Sequence, residues 1–126
     1  MQFLKITNVT APPSVPAVSG LTYPLEVEVT NIRKAIVPFV NMPLKCIVAV
    51  DSVHPGDQKC HVESEVTVIN SGEVKTFAIP ITIPALAGLN PPFVDNHIVT
   101  AYWVLPWGRR AHDTFQFQVE KIGSGH

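Results

Sequence analysis

Between residues 77 and 83, bulky apolar side chains fall on every second position: Phe77, Ile79, Ile81 and Ile83, with Ala78, Pro80 and Thr82 between them. Residues 114–119 repeat the pattern, with Phe115, Phe117 and Val119 alternating with Thr114, Gln116 and Gln118. Side chains of a β-strand leave on opposite faces with period two, so each segment has one buried and one wet face. Such segments specify an antiparallel architecture of two packed layers. Phe77, Ile79, Ile81, Phe115 and Phe117 are expected to line the dry seam between those layers.

Twelve prolines and seven glycines punctuate the chain, and proline lacks the donor that helices and central strands need. No apolar stripe of helical period runs longer than about ten residues, short of what a globular helix requires. Strands are expected over 2–9, 23–31, 44–50, 59–69, 74–83, 96–105 and 111–122. Turn chemistry at Pro55-Gly56-Asp57 and Asn70-Ser71-Gly72-Glu73 divides them. Pro38 and Pro43 mark 36–43 as a kinked edge piece. The crossings at 11–20 and 84–95 are too long for an up-and-down barrel. Seven to eight strands at this spacing therefore predict an all-β, immunoglobulin/fibronectin-III-like antiparallel β-sandwich. Residues 1–122 form a single domain in this reading, with 123–126 a disordered tail or cloning remnant.

The 126 residues suffice to bury a core without metals or disulfides. Only 15% of them are charged, against a usual share of roughly 25%. So sparse a charge fits apolar surface covered by a neighbouring domain or a second copy of the chain, and fits an unusually large core equally well. Nine basic and ten acidic residues, without long blocks of either, argue against binding nucleic acid or docking on anionic membranes. No run approaches the roughly 18 apolar residues of a membrane span. Residues 1–6 lack the pattern of a secretion signal. A native start at Met1 would place the protein in the cytoplasm, and a mature segment given an initiating Met would not.

Catalytic signatures are weak. Ser19-Gly20 and Ser71-Gly72 read as turns, no Gly-x-Ser-x-Gly elbow is present, and no glycine-rich phosphate loop occurs. Glu26 with Glu28, and Glu63 with Glu65, share strand faces but match the wet side of alternating strands. Of His54, His61, His97, His112 and His126, only Cys60-His61 and His112-Asp113 are local ligand pairs, and strand neighbours face opposite ways. A hairpin turning near Pro106 could bring His97 to His112, yet the histidines are expected on the surface. No metal, no cofactor and no catalytic residue is therefore assigned. Cys46 and Cys60 would oppose each other in a hairpin centred near Val53. A bridge there would close a loop worth roughly 3 kcal/mol, and the alternative is a pair of reduced, buried thiols.

The segment 105–110, Leu105-Pro106-Trp107-Gly108-Arg109-Arg110, with Tyr102 nearby, is the strongest contact candidate. Trp and Arg dominate binding hot spots, one through a wide apolar face and the other through a planar donor fork. Trp107, Arg109, Arg110 and Tyr102 are thus the candidate binding residues, against the alternative that Trp103 fills the core, Trp107 caps the sandwich end and the two arginines are simply solvated.

Two stretches carry a family likeness. Residues 4–13, Gly20 and Leu25-Glu26-Val27-Glu28-Val29-Thr30-Asn31 resemble the bacterial cell-adhesion-related domain family, as do Pro55-Gly56-Asp57, Gly72-Glu73 and Ile79-Pro80-Ile81-Thr82-Ile83-Pro84. The chain departs from that pattern at Asn31-Ile32-Arg33, where the family has Asn-x-Gly. This resemblance implies a β-sandwich module in an extracytoplasmic setting. A second likeness, to the arrestin-type sandwich, rests on 72–77, Ile83-Pro84, Pro91-Pro92-Phe93 and Tyr102-Trp103, and implies an intracellular scaffold. The expectation is a non-catalytic interaction module that binds another protein or an adjacent domain through an edge strand or end loop. Its rivals are a carbohydrate-binding module using Trp107, an arrestin-like scaffold and a metal-dependent enzyme.

Overall fold

The computed structural model describes residues 2–12, 20–33, 43–84 and 93–121. Eight strands run in order: β1 Leu4–Thr10, β2 Thr22–Asn31, β3 Leu44–His54, β4 Gln58–Glu63, β5 Thr67–Ile69, β6 Val74–Thr82, β7 Phe93–Leu105 and β8 Gly108–Lys121. One sheet has the order β1-β2-β6; the other has β4-β3-β7-β8, with β5 also paired to β3. Every pairing is antiparallel. This is the immunoglobulin/fibronectin-III-like sandwich that the alternation demands.

The period-two pattern sorts each strand cleanly. Leu25, Val27 and Val29 of β2 and Phe77, Ile79 and Ile81 of β6 face inward and are buried. They pack in one cluster with Leu44, Cys46, Val48 and Val50 of β3 and Val99 and Ala101 of β7. Phe117 joins that cluster from the rim. Phe115 departs from the expectation, because it is 42% exposed. Its register opposite Val99 puts it on the inner side of its sheet, but β8 is an outermost strand and the facing sheet has only three strands to cover it.

The edge piece expected at 36–43, with Pro38, lies outside the described residues except for Pro43, which directly precedes β3, a strand flanked on both sides. The proline that does mark an edge is Pro80 on β6, opposite Pro24. Neither ring can donate, so the two sit across from each other only where the ladder asks no bond of them.

Four local features set the rest. The turn at 55–57 uses Gly56 (φ 81°) and Asp57 (φ 60°), and it centres the β3–β4 hairpin on Gly56 rather than on Val53. The run 59–69 divides into β4 and β5 at Ser64, whose hydroxyl accepts the Val48 N–H at 2.9 Å while its own N–H bonds the Val48 carbonyl. A side chain thereby takes a ladder position, and the strand breaks. At the opposite flank a register shift in β7–β8 leaves His112 as an extra residue. His112 Nδ1 accepts the Phe3 N–H at 3.1 Å and Asp113 Oδ2 accepts the Ile6 N–H at 2.7 Å, which ties β1 to β8 and joins the sheets along that side. Buried Asn31 bonds the Ile69 carbonyl at 2.8 Å and links the sheets at their other flank.

Phe77 and Phe115 look alike in sequence and differ in coverage. Phe77→Ala should lower unfolding free energy by about 3 kcal/mol and Phe115→Ala by about 1 kcal/mol or less. Urea denaturation of the two variants measures the difference, and equal losses would contradict this packing.

Candidate functional site

Two polar constellations stand out, on opposite faces of the larger sheet. The first surrounds the β7–β8 tip. Trp107 sits in the turn itself, 81% exposed, beside Gly108, whose φ of 145° a side chain rarely adopts. Arg109 lies over the Tyr102 ring at 4.6 Å. Its guanidinium donates two bonds to the Glu63 carboxylate, at 2.6 and 2.8 Å, reaching from β8 to β4 over the two strands between. Glu63 also meets His61 Nε2 at 2.7 Å, and His61 Nδ1 meets Asp51. Ala49 and Thr100 have the outward parity yet are buried, which fits a polar ribbon laid over them. A groove of about 400 Å³, lined by Pro43, Lys45, Trp103, Val104, Leu105 and Pro106, adjoins the turn.

Of the four expected binding residues, Tyr102 and Arg109 are brought together and Trp107 projects from the turn they brace. Arg110 is exposed and stands across from Trp103, on the opposite face from Arg109. Trp103 itself packs edge-on against Phe3 and His112. The Arg109 guanidinium, and secondarily His61, hold the Glu63 carboxyl down at about 2. Glu63 and then Asp51 raise His61 above the ordinary imidazole value.

The second constellation is internal. Inward-facing Ser52 and His54 of β3 lie beside Asp95 and His97 of β7, and all four are buried. Tyr23 reaches them from β2 in the facing sheet. Its hydroxyl donates to Asp95 Oδ2 at 2.9 Å and lies 3.2 Å from His97 Nε2. Ser52 Oγ is 2.7 Å from His97 Nδ1, and His54 Nδ1 is 2.8 Å from Asp95 Oδ1. The tyrosine proton is committed to Asp95, so His97 donates from Nε2 and accepts from Ser52 at Nδ1. His54 Nε2 is the one buried side-chain nitrogen or oxygen without a hydrogen-bond partner among the described residues. Burial, followed by the charge of Asp95, pushes the Tyr23 hydroxyl far above its ordinary range.

This network corrects the sequence reading of the histidines, because His54 and His97 are 2% and 1% exposed. Their signal was parity: Ser52, His54, Asp95 and His97 continue the inward series of Val48, Val50 and Val99. Nor do His97 and His112 meet, since His97 pairs with Phe117 while His112 occupies the bulge toward β1. Ser52 and His97 have the spacing of a nucleophile and base, but Ser52 is sealed at 2% exposure. Among the described residues no group of three or more His, Cys, Asp or Glu side chains converges as metal ligands do.

The cysteine bridge is also corrected. Ser52, not Cys46, stands opposite Cys60, and Cys46 pairs with Thr67 and Trp103. Both thiols are free. Cys46 belongs to the core, where burial pushes it up to about 12.

No protein-family model matches the sequence, and no curated protein matches it. Solved structures do share its fold. The chain is similar to part of a Bacteroides uniformis β-glucuronidase, with a TM-score of 0.54 and 14% identity over 94% of this chain and 12% of that one. It is similar to part of the Pseudomonas fluorescens alkylpurine DNA glycosylase bound to DNA containing an abasic-site analogue, with a TM-score of 0.57 and 12% identity over 98% of this chain and 31% of that one. It also matches part of a Listeria innocua β-glucosidase, with a TM-score of 0.50 and 19% identity over 98% and 16%. Identities this low show shared architecture and nothing of activity. The chain spans at most about a third of each of these proteins.

Two outcomes follow from these clusters. Asp95→Ala strips partners from Tyr23 and His54 inside the core and should lower stability by about 3 kcal/mol; a loss under about 1 kcal/mol in urea unfolding would contradict a satisfied network. Glu63 has a depressed value when folded, so its contribution is present above about pH 4.3 and fades as pH falls toward 2. His61 has a raised value, so its contribution is present below about pH 6.5 and fades as pH rises through the folded value. The stability gap between wild type and Glu63→Gln should therefore be widest between about pH 4.5 and 6.5, and it should shrink in molar salt. A gap that is flat across that range would refute the coupling.

Proposed function

We propose that this chain is a non-catalytic β-sandwich module that binds another protein or a neighbouring domain through the β7–β8 end loop. The observation that carries this reading is Trp107, 81% exposed on an arm braced by Arg109 against Tyr102 and Glu63. Leaving a tryptophan ring in water is costly, and a stiff support lowers the entropy lost when a partner covers it. The adjoining groove at Trp103–Pro106 offers apolar surface for the rim of such a contact. Arg109 serves as a brace here, so Trp107 is the anchor and exposed Arg110 the second contact.

Three further points favour a binding role over a catalytic one. The nucleophile–base pair Ser52–His97 is closed to substrate. The proteins of similar fold carry this sandwich as a minor part of longer chains, as an accessory module would be carried. The likeness to cell-adhesion-related modules is of the same kind and would set the module at a cell surface. A carbohydrate reading draws on exposed Trp107 and on the two glycosidases among the proteins of similar fold. It ranks second because Pro106 and Gly108, which flank the ring, offer no hydrogen-bonding side chain to a sugar.

A photo-crosslinking amino acid placed at position 107, in cells that express the gene natively, should yield one discrete protein adduct. The same group at Glu26, on the outer face of the other sheet, should yield none. Equal adducts from both positions, or none from either, would overturn the assignment. Binding on a glycan array that disappears in Trp107→Ala would transfer the tip to carbohydrate.

A further inference from the structure

We propose that β8 pairs with β8 of a second copy of this chain, antiparallel about a two-fold axis at Phe117. This goes beyond the end-loop reading and does not depend on it, since Trp107 lies at the other end of the same strand.

An outer strand offers unpaired backbone groups to any passing chain, and folded proteins blunt such edges. Three edges here are blunted. The outward amides at Phe3 and Ile6, beside β1, are capped by His112 and Asp113. β6 carries Pro80. β4 and β5 have six and three residues and are separated at Ser64. Among the described residues, no proline interrupts β8 past Thr114 and no side chain caps its outward amides there. Residues 114–120 read Thr-Phe-Gln-Phe-Gln-Val-Glu, with no proline, no glycine and a single charge at the far end. The Thr114 N–H turns to its neighbour Asp113 Oδ1 at 3.0 Å, so the amides at 114, 116, 118 and 120 face away from β7.

The free stretch is centred on Phe117, and it complements itself. Two-fold pairing about that residue sets Thr114 against Glu120 of the second copy, Phe115 against Val119, Gln116 against Gln118 and Phe117 against its own copy. No like charges oppose. Gln116 and Gln118 supply the full hydrogen-bonded pairs, the Glu120 N–H reaches the Thr114 carbonyl of the other copy, and Phe117 falls in the closer non-bonded pair, where cross-strand rings meet. Phe115 at 42% exposure and half-buried Phe117 and Val119 overhang the smaller sheet; this pairing gives all three an apolar neighbour. A slip of one residue would set Asp113 against Glu120 and Gln116 against Phe117, mixing the two faces. Both copies use the same edge, so the assembly closes as a dimer.

Sedimentation equilibrium up to about 100 μM should show a dimer with Kd on the order of micromolar. Gln116 and Gln118 are exposed, so charges there leave the core alone, and circular dichroism confirms folding. Gln116→Lys/Gln118→Lys sets lysine against lysine and should raise Kd by at least about tenfold. Gln116→Glu/Gln118→Lys sets opposite charges together in this register and should restore the dimer. Trp107→Ala should leave it intact. A wild type that stays monomeric assigns the edge to a strand of some other protein and overturns the proposal. Open-ended aggregation, or a charge-swapped variant as dissociated as the double lysine, overturns it equally.

Discussion

Burial of one apolar sheet face against another of unequal width is the constraint from which the other features descend. Leu25, Val27, Ile79 and Ile81 on the narrow side share one cluster with Val48, Val50 and Val99 on the broad side. Each such side chain is worth roughly 1.5–3 kcal/mol on leaving water, which is ample to hold two sheets together without a crosslink. The mismatch in strand number decides what happens at the flanks. On one flank Asn31 bonds across to Ile69, and on the other His112 and Asp113 clasp β1. Among the described residues, the far half of β8 projects past the cover, with Phe115 42% exposed.

Within that apolar seam, the second and seventh strands hold a polar link. In antibody domains the corresponding strands are joined by a disulfide; here Tyr23 meets Asp95 and His97. The two links differ in kind. A disulfide restrains the unfolded chain, whereas a buried hydrogen-bonded group is costly whenever its partner is absent. Sliding β2 over β7 would part Tyr23 from both Asp95 and His97 at once, so the link ties the two sheets in the register observed. His54 Nε2 shows that the network's satisfaction is imperfect.

Much of the fold was legible from alternation alone, because period two is a local property and survives in the sequence. Phe77, Ile79 and Ile81 face inward as written. Alternation states a side chain's face but not whether anything lies opposite, which is why Phe115 read as core and is half in water. The histidines at 54 and 97 were legible by the same parity; the assumption that polar means exposed hid them. The cysteine register failed on the turn, since Gly56 and Asp57, the residues able to take positive φ, set the axis three residues beyond the assumed centre. Tyr102 and Arg109 were recognisable as a pair of residue types, and Trp107 as a tip. The reach of Arg109 to Glu63 was not, because a contact between residues 46 apart in sequence leaves no local trace.

The supernumerary residue in β8 has a mechanical meaning. Before it, odd-numbered side chains such as Arg109 and Ala111 share the outer face with Tyr102; after it, odd-numbered Asp113, Phe115 and Phe117 turn to the inner one. His112 is thus a phase shifter, inverting the strand's odd-even code midway along its length. Removing that one residue would leave Ala111 opposite Tyr102 and Asp113 opposite Ala101 in an unbroken ladder with both faces kept, and the chain would lose the imidazole that accepts the Phe3 N–H.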